Sequence, residues 1–421
     1  YEEPEIGFMN NDIFIRADLM TKRVEAVRGG PSAILYSHAL GGAANFITRT
    51  GSQEFEGAVK LELGDWGHVR NDFFVSGPIN NNVTFALGGF YRVSEGIRDP
   101  GYTGNDGGQL RGNLVWENDE ADTRVEVHAH VLRDKTIFYQ NIPFTIPAVG
   151  AEPTLENPAY VEDIRDLGVN LANGTMASND LRTGTLSLPE GDKEYDLANG
   201  INPEFNIFTV KFSKEFSNWA IENNVRHTSG QSGFNAIFAG NPVRYEQFIS
   251  DRERNDVANN AYTAAQQCRL DNVYLSFYSV NEQRCGDNLG VSNLDEFIER
   301  YAGYTNFAAQ YADNGESVNL NTSPYLAFQT LWLAEVEADM FVDDFKVHSF
   351  FDFFGEHSTT FGSYISVYDL STELWIAEMI TDVAENARKV DLTATTASGA
   401  QVGPMLTDNG VYRHANTHLK V

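Results

Sequence analysis

Only two cysteines, Cys268 and Cys285, occur in 421 residues, and with no ligand set near them they make a poor zinc site. The chain also lacks any run of about 18 or more apolar residues, which excludes a membrane-spanning helix. It does not exclude a membrane barrel, whose strands are only half apolar. Basic residues are scarce: 30 Lys and Arg stand against 59 Asp and Glu, a formal charge of −29. Such a chain would repel a phosphate backbone, so nucleic acid is excluded as a partner. Catalytic signatures are missing as well. There is no Gly-x-Ser-x-Gly elbow, no His-Glu-x-x-His and no phosphate loop, and acidic pairs are too numerous to nominate a glycosidase couple. Nothing in the sequence argues for an enzyme or for a bound cofactor.

What the chain does have is glycine, 36 residues, and aromatics, 12%, in a length that suits two or three globular domains or one large closed β-structure. After Phe55 the dominant hydrophobic period is two. In Asp122 to Leu132, Val125, Val127, Ala129 and Val131 fall on one face, and Arg124, Glu126, His128 and His130 on the other. In Trp332 to Val342, Trp332, Ala334, Val336, Ala338, Met340 and Val342 oppose Glu335, Glu337 and Asp339. A row of three carboxylates is hard to bury in a sandwich core but fits a wet lumen, so the apolar set is expected to face lipid. Similar splits occur at Val83–Val93, Phe208–Phe212, Trp219–Val225 and Phe345–Phe353.

The expected strands are 56–64, 70–79, 83–93, 109–117, 122–132, 206–214, 218–228, 328–343 and 345–356, with a tight corner at Asp344 between the last two. Every second link is short and polar, and three of the other four are long, including 133–205 and 229–327. That parity belongs to an outer-membrane barrel with short turns on one side and long loops on the other. Within 229–327, Leu294, Phe297, Ile298 and Tyr301 recur at helical spacing after an Asn293 cap, which predicts a short surface helix. Leu374–Ile380 also reads as helix, and Val390–Thr396 as a strand. His128 and His130 share a strand face but lack a third ligand, so they read as ordinary lumen-facing polar residues, as do His348 and Asp352.

Residues 23–50 carry the most specific signal. Arg23-Val24-Glu25, Arg28-Gly29-Gly30, Leu35-Tyr36, Gly41-Gly42 and Asn45-Phe46-Ile47-Thr48 follow one another in a glycine-punctuated strand-loop-strand unit. This ordered set resembles the last part of the plug domain of TonB-dependent outer-membrane receptors. Ser37 stands where glycine usually follows the tyrosine, and Ala44 where a β-branched residue is usual. The resemblance implies an all-β, antiparallel transmembrane β-barrel, incomplete and of a type with about 22 strands, together with the C-terminal part of an α/β plug. Residues 1–52 would be that plug part and 53–421 the N-terminal portion of the barrel with its long extracellular loops. The residues Arg23, Glu25, Arg28, Gly29, Gly30, Tyr36, Gly41, Gly42 and Asn45 are structural in the family and mark no ligand contact.

By the same resemblance the function would be energised uptake of a scarce, bulky nutrient such as a ferric siderophore, cobalamin or an oligosaccharide, at the outer membrane of a Gram-negative bacterium. The partners would be outer-membrane lipid, the small-molecule or oligosaccharide substrate, and an inner-membrane energy-coupling complex of TonB type reached through a missing N-terminal segment. Tyr1 is not preceded by an export signal and the last residue is not aromatic, so the chain reads as a fragment. In an exported chain Cys268 and Cys285, in one polar segment, are expected to form a disulfide, with two free thiols as the alternative. A passive outer-membrane channel or a secreted carbohydrate-binding or adhesive β-protein remain alternatives. The first should lack the segment Arg23–Thr48, and the second should not carry the row Glu335, Glu337, Asp339.

Overall fold

A computed structural model describes residues 15–30, 41–139, 175–188, 191–240, 242–245, 304–319, 325–352, 354–384, 386–396, 407–412 and 417–420. The described chain is built from strands, with only short 3-10 turns between them. These are β1 Thr21–Arg28, β2 Gly42–Thr48, β3 Glu56–Leu63, β4 Val69–Asn80, β5 Val83–Ser94, β6 Asn105–Asn118, β7 Thr123–Thr136, β8 Thr183–Leu188 and β9 Gly191–Asp196. They continue with β10 Ile201–Phe216, β11 Trp219–Ala239, β12 Val243–Arg244, β13 Tyr304–Tyr311, β14 Tyr325–Asp352 and β15 Glu356–Asp382. The last are β16 Val390–Thr396, β17 Thr407–Asp408, β18 Val411–Tyr412 and β19 Thr417–Lys420.

β1 and β2 form their own antiparallel pair, and the main sheet starts at β3, running β3-β4-β5-β6-β7-β10-β11-β14-β15 by antiparallel neighbours. Its path is open among the described residues. Turn chemistry sets one end of this sheet. Asn80 Oδ1 accepts from the amides of Asn82 and Val83 at 2.9 Å. Asn118 Oδ1 accepts from Ala121 N, and the Phe216 and Trp219 rings stack at 3.9 Å across the β10–β11 turn. Phe354 (φ 55°) and Gly355 (φ 136°) turn the chain between β14 and β15. All the long connections leave from the opposite end. The parity anticipated from link lengths is therefore present in the structure.

The printed registers allow each face to be traced across the sheet. Asp72, Phe90, Gln109, Leu132, Phe205, Gly230, Ala338 and Leu370 stand opposite one another on successive strands and share the concave face. Val131, Leu110, Leu114 and Phe208 lie on the convex face, and they are exposed despite being apolar, Val131 at 41% and Leu114 at 49%; Val127 shares that face and is half-buried. Phe345, Val347 and Phe351 extend this apolar band onto β14, Phe351 being 48% exposed. A water-facing surface would not carry such a band; an apolar solvent removes its cost.

Two expectations are corrected. The β14 register runs unbroken through Asp344, which pairs with Asn224 and Tyr364, so there is no corner and no reset of parity. Val336, Met340 and Val342 consequently lie on the concave face with His128 and Arg226, and Glu335, Glu337 and Asp339 lie on the convex one. These carboxylates sit beyond the apolar band, toward the long-loop end, where Glu335 meets Lys193 Nζ at 2.6 Å and Asp339 meets His227. Leu374–Ile380 is strand, part of β15, because its pairing with β14 along Phe328–Ala334 overrides the local helical spacing. Val390–Thr396 is a strand as expected, paired with β13. The 293–301 helix lies outside the described residues.

The largest apolar core lies past the band. There the β8–β9 hairpin covers the convex side of the β11, β14 and β15 ends. Leu181, Leu186, Leu188 and Tyr195 pack against Ile237, Leu331, Leu333, Trp375 and Met379. β14 and β15 are thus long enough, at 28 and 27 residues, to serve both as wall in the band and as floor for this outer layer.

Candidate functional site, a polar latch on the concave face

Residues 15–20, ahead of β1, and Arg49–Gly51, after β2, lie against the concave face of β4 to β7. Asp18 makes the local turn: its Oδ1 accepts from Met20 N at 2.9 Å and its carbonyl accepts from Thr21 N at 3.0 Å. The turn drives Met20, fully buried, between Phe74 and Ala86. Gly88 is glycine because a Cβ there would come within 2.8 Å of Met20 Cγ and 2.5 Å of the Phe73 carbonyl.

Around this apolar contact the attachment is ionic. Asp134 on β7, its side chain at 0% exposure, accepts from Arg16 Nε at 2.7 Å and from Arg92 Nε and Nη2 at 3.1 and 2.8 Å. Arg92 Nη2 also donates to Thr136 Oγ1 at 2.6 Å. Gln109 Nε2 donates to the Arg16 carbonyl at 2.7 Å and to Asp18 Oδ2 at 2.6 Å, while its Oε1 faces His130 Nε2 at 3.1 Å. Arg111 donates to the same carbonyl, and Arg70, itself clamped on Asp72, donates to the Ala17 carbonyl at 2.7 Å. On the far side Arg49 Nε reaches the Leu19 carbonyl and Asn113 holds Arg49 O and Gly51 N.

Polar wall residues from β4, β6 and β7 therefore converge on the backbone, the Arg16 guanidinium and the one carboxylate of a short segment, and β5 adds Ala86 against Met20. Buried charges of this kind are stable only while paired, so the segment can leave the wall only if its partners are solvated at the same time. Chemically the arrangement binds, orients and can release; it carries no nucleophile beside a base.

The residues singled out in the sequence fall elsewhere. Arg23 and Glu25 pair with each other at 2.7 Å on an exposed strand face, and Asn45 sits opposite Glu25. Arg28 pairs with Gly42 in register, while Gly29, at φ 73°, starts the turn and donates its amide to the Gly41 carbonyl at 3.2 Å. Gly30 follows it in the same turn. Tyr36 and the Cys268, Cys285 pair lie outside the described residues. His128 is taken by Glu126 at 2.7 Å and His130 by Gln109; His348 meets Thr360. Among the described residues no group of three or more His, Cys, Asp or Glu is placed to hold a metal. Arg16, Asp18, Arg92, Gln109, Arg111 and Asp134 were not nominated from sequence. Their only local signal is polar residues at alternate strand positions, and Arg16 and Asp134 are 118 residues apart.

No family model and no curated protein matches the chain. Among solved structures it is similar to the FpvAI–pyocin S2 complex, at 13% identity and a TM-score of 0.43, covering 93% of this chain and 42% of that one. It is similar to the siderophore receptor PiuA from Acinetobacter baumannii at 10% identity and a TM-score of 0.37, covering 91% and 49%. It is also similar to the ferripyoverdine receptor of the outer membrane of Pseudomonas aeruginosa, at 12% identity and a TM-score of 0.37, covering 93% and 44%. The chain thus spans less than half the length of these structures.

Proposed function

We propose that this chain is the plug's C-terminal part and the first barrel strands of a TonB-dependent transporter in the outer membrane of a Gram-negative bacterium. The reading rests on one observation above all. A segment outside the main sheet is held to its concave face by the ion pairs Arg16–Asp134 and Asp18–Arg111, both with a buried carboxylate, while the opposite face of the same strands exposes an apolar band. The band is suited to lipid, and the latched segment is suited to blocking a lumen. The motif Arg23–Thr48 lies on the same segment, between Met20 and Arg49.

The latch explains why such a protein would need work from outside itself. Freeing residues 15–20 breaks contacts from four strands, and nothing among the described residues supplies compensating energy. By resemblance that work would arrive from an inner-membrane energy-coupling complex. The cargo would be a scarce, bulky nutrient of the ferric siderophore, cobalamin or oligosaccharide kind. Planar-bilayer recording on the complete protein tests the proposal. It should be closed to ions, and deletion of the whole plug should leave it leaky; equal large conductance with and without the plug would replace the transporter by a passive channel.

A further inference from the structure

Outside the band the concave wall changes character. Phe138 packs on Phe234 and Phe238, with ring centroids at 5.3 and 5.2 Å, and Phe238 meets Trp332 edge-on at 5.5 Å. Phe234 is buried and Trp332 half-buried, but Phe238 is 39% exposed, so the cluster presents an aromatic ring from a packed wall, unlike the sealed core on the other side of the same strands. Register places one charge beside it. Phe238 stands opposite Thr330, and Thr330 opposite Glu378, which leaves Glu378 on the same face and two residues along from Ile376, the partner of Trp332. A diagonal neighbour of this kind lies roughly 7–8 Å away, within reach of long side chains.

Glu378 is exposed and has no ion pair among the described residues, whereas the nearby convex carboxylates Glu335, Asp339 and Glu373 are each matched by Lys or His. From Thr228, Val342 and Tyr368 outward, the concave positions of β11, β14 and β15 contain no Lys, Arg or His. Asp382 is the other acid there, and it is buried with Arg388 N and Tyr311 Oη on its oxygens. Aromatic faces attract cations through their quadrupole, and an unmatched carboxylate adds a field of the same sign.

We propose that this wall is a binding site for a small organic cation with an apolar or aromatic body, and that it repels an anion of the same shape. The site rests on the transporter reading for its role as a cargo station, but its chemistry stands on the wall alone. The test is isothermal titration of the full 421-residue chain, folded in detergent micelles, with phenyltrimethylammonium and, as the anion of similar shape, benzenesulfonate. The cation should bind saturably and the anion should not. Glu378→Gln and Phe238→Leu should each weaken the cation by roughly fivefold to tenfold, while Glu337→Gln on the convex face should leave it unchanged. Near-ultraviolet circular dichroism confirms that each variant keeps its aromatic packing. Absence of saturable binding, equal binding of benzenesulfonate, or indifference to Glu378→Gln would overturn the site. Because this readout needs no conductance, loss of the transporter reading in the bilayer test and loss of the cation site are separate results.

Discussion

Replacing Asp134 by Asn isolates the latch. The substitution keeps the side chain's shape, removes its charge, and turns one oxygen into a donor that faces a guanidinium. Asp134 is fully buried and receives Arg16 from the segment ahead of β1 and Arg92 from β5, so both cations lose their counter-charge at once. Removing one partner of a buried pair costs about 3–5 kcal/mol, because what remains is an uncompensated charge. The lower end applies here, since Arg92 keeps Thr136 and both arginines are about one-fifth exposed. Glu25→Gln is the matched control. It breaks an Arg–carboxylate contact of the same 2.7 Å length between groups that are about half exposed, for which about 0–1 kcal/mol is lost. Urea unfolding of both variants in the same micelles, followed by tryptophan fluorescence, gives the two differences directly. If Asp134→Asn costs no more than Glu25→Gln, the ionic latch is not what holds residues 15–20 to the wall.

Other perturbations probe the rest of the structure. Val127→Arg on the convex band should destabilise the bilayer-inserted protein by about 2–4 kcal/mol near mid-membrane, and Glu337→Lys, beyond the band, should change stability by less than about 0.5 kcal/mol; equal tolerance refutes the membrane face. Gly88→Val should cost about 1–3 kcal/mol by displacing Met20, and a cost that survives Met20→Ala would show that the Phe73 backbone, not Met20, limits the space. Lys389, outside the band, is pushed down to about 8 by burial. The unfolded chain then holds the extra proton between about pH 8 and pH 10, so stability should rise with pH across that window by at most about 1.4 kcal/mol per unit. Lys389→Met should flatten that rise, as followed by urea midpoints. Cys268 and Cys285 should resist alkylation until reduced, and reduction should cost about 3 kcal/mol for a loop of this length.

Much of the fold is legible in the chain because a strand with one apolar face and one polar face must alternate, and because Asn80 and Asn118 mark turns chemically. The faces of β5, β7, β10 and β11 follow from such alternation alone. The latch is not legible in the same way. Asp134 lies between Arg133 and Lys135, and nothing local distinguishes it from an exposed carboxylate. Its burial exists only because residues 15–20 arrive from more than a hundred positions away. Arg23 and Glu25, conspicuous in the sequence, form an exposed pair for the converse reason: a motif that shapes a hairpin need not touch anything beyond it.

β14 shows where alternation misleads. Its pattern is apolar at the odd positions Phe345, Val347 and Phe351 and apolar at even positions from Val336 to Met340, which from sequence looks like two strands with a corner between them. The backbone instead continues straight, and it is the surroundings that exchange. Toward the turn end, lipid would lie on the convex side and water on the concave side. Toward the loop end, water meets the convex carboxylates Glu335, Glu337 and Asp339, while Phe205 packs with Val336, Ala338 and Met340 on the concave side. The phase change on β14 therefore marks a boundary that the strand crosses. The convex apolar band reaches past Asp343 to Phe341, 41% exposed, and its register partner Val367, 61% exposed. The boundary lies on the loop side of these residues, with Asn223 donating to Asp343 at 2.6 Å just within the band. The same crossing explains why an aromatic surface can face inward above the band when the concave wall below it is lined by Arg226, His128 and Lys346.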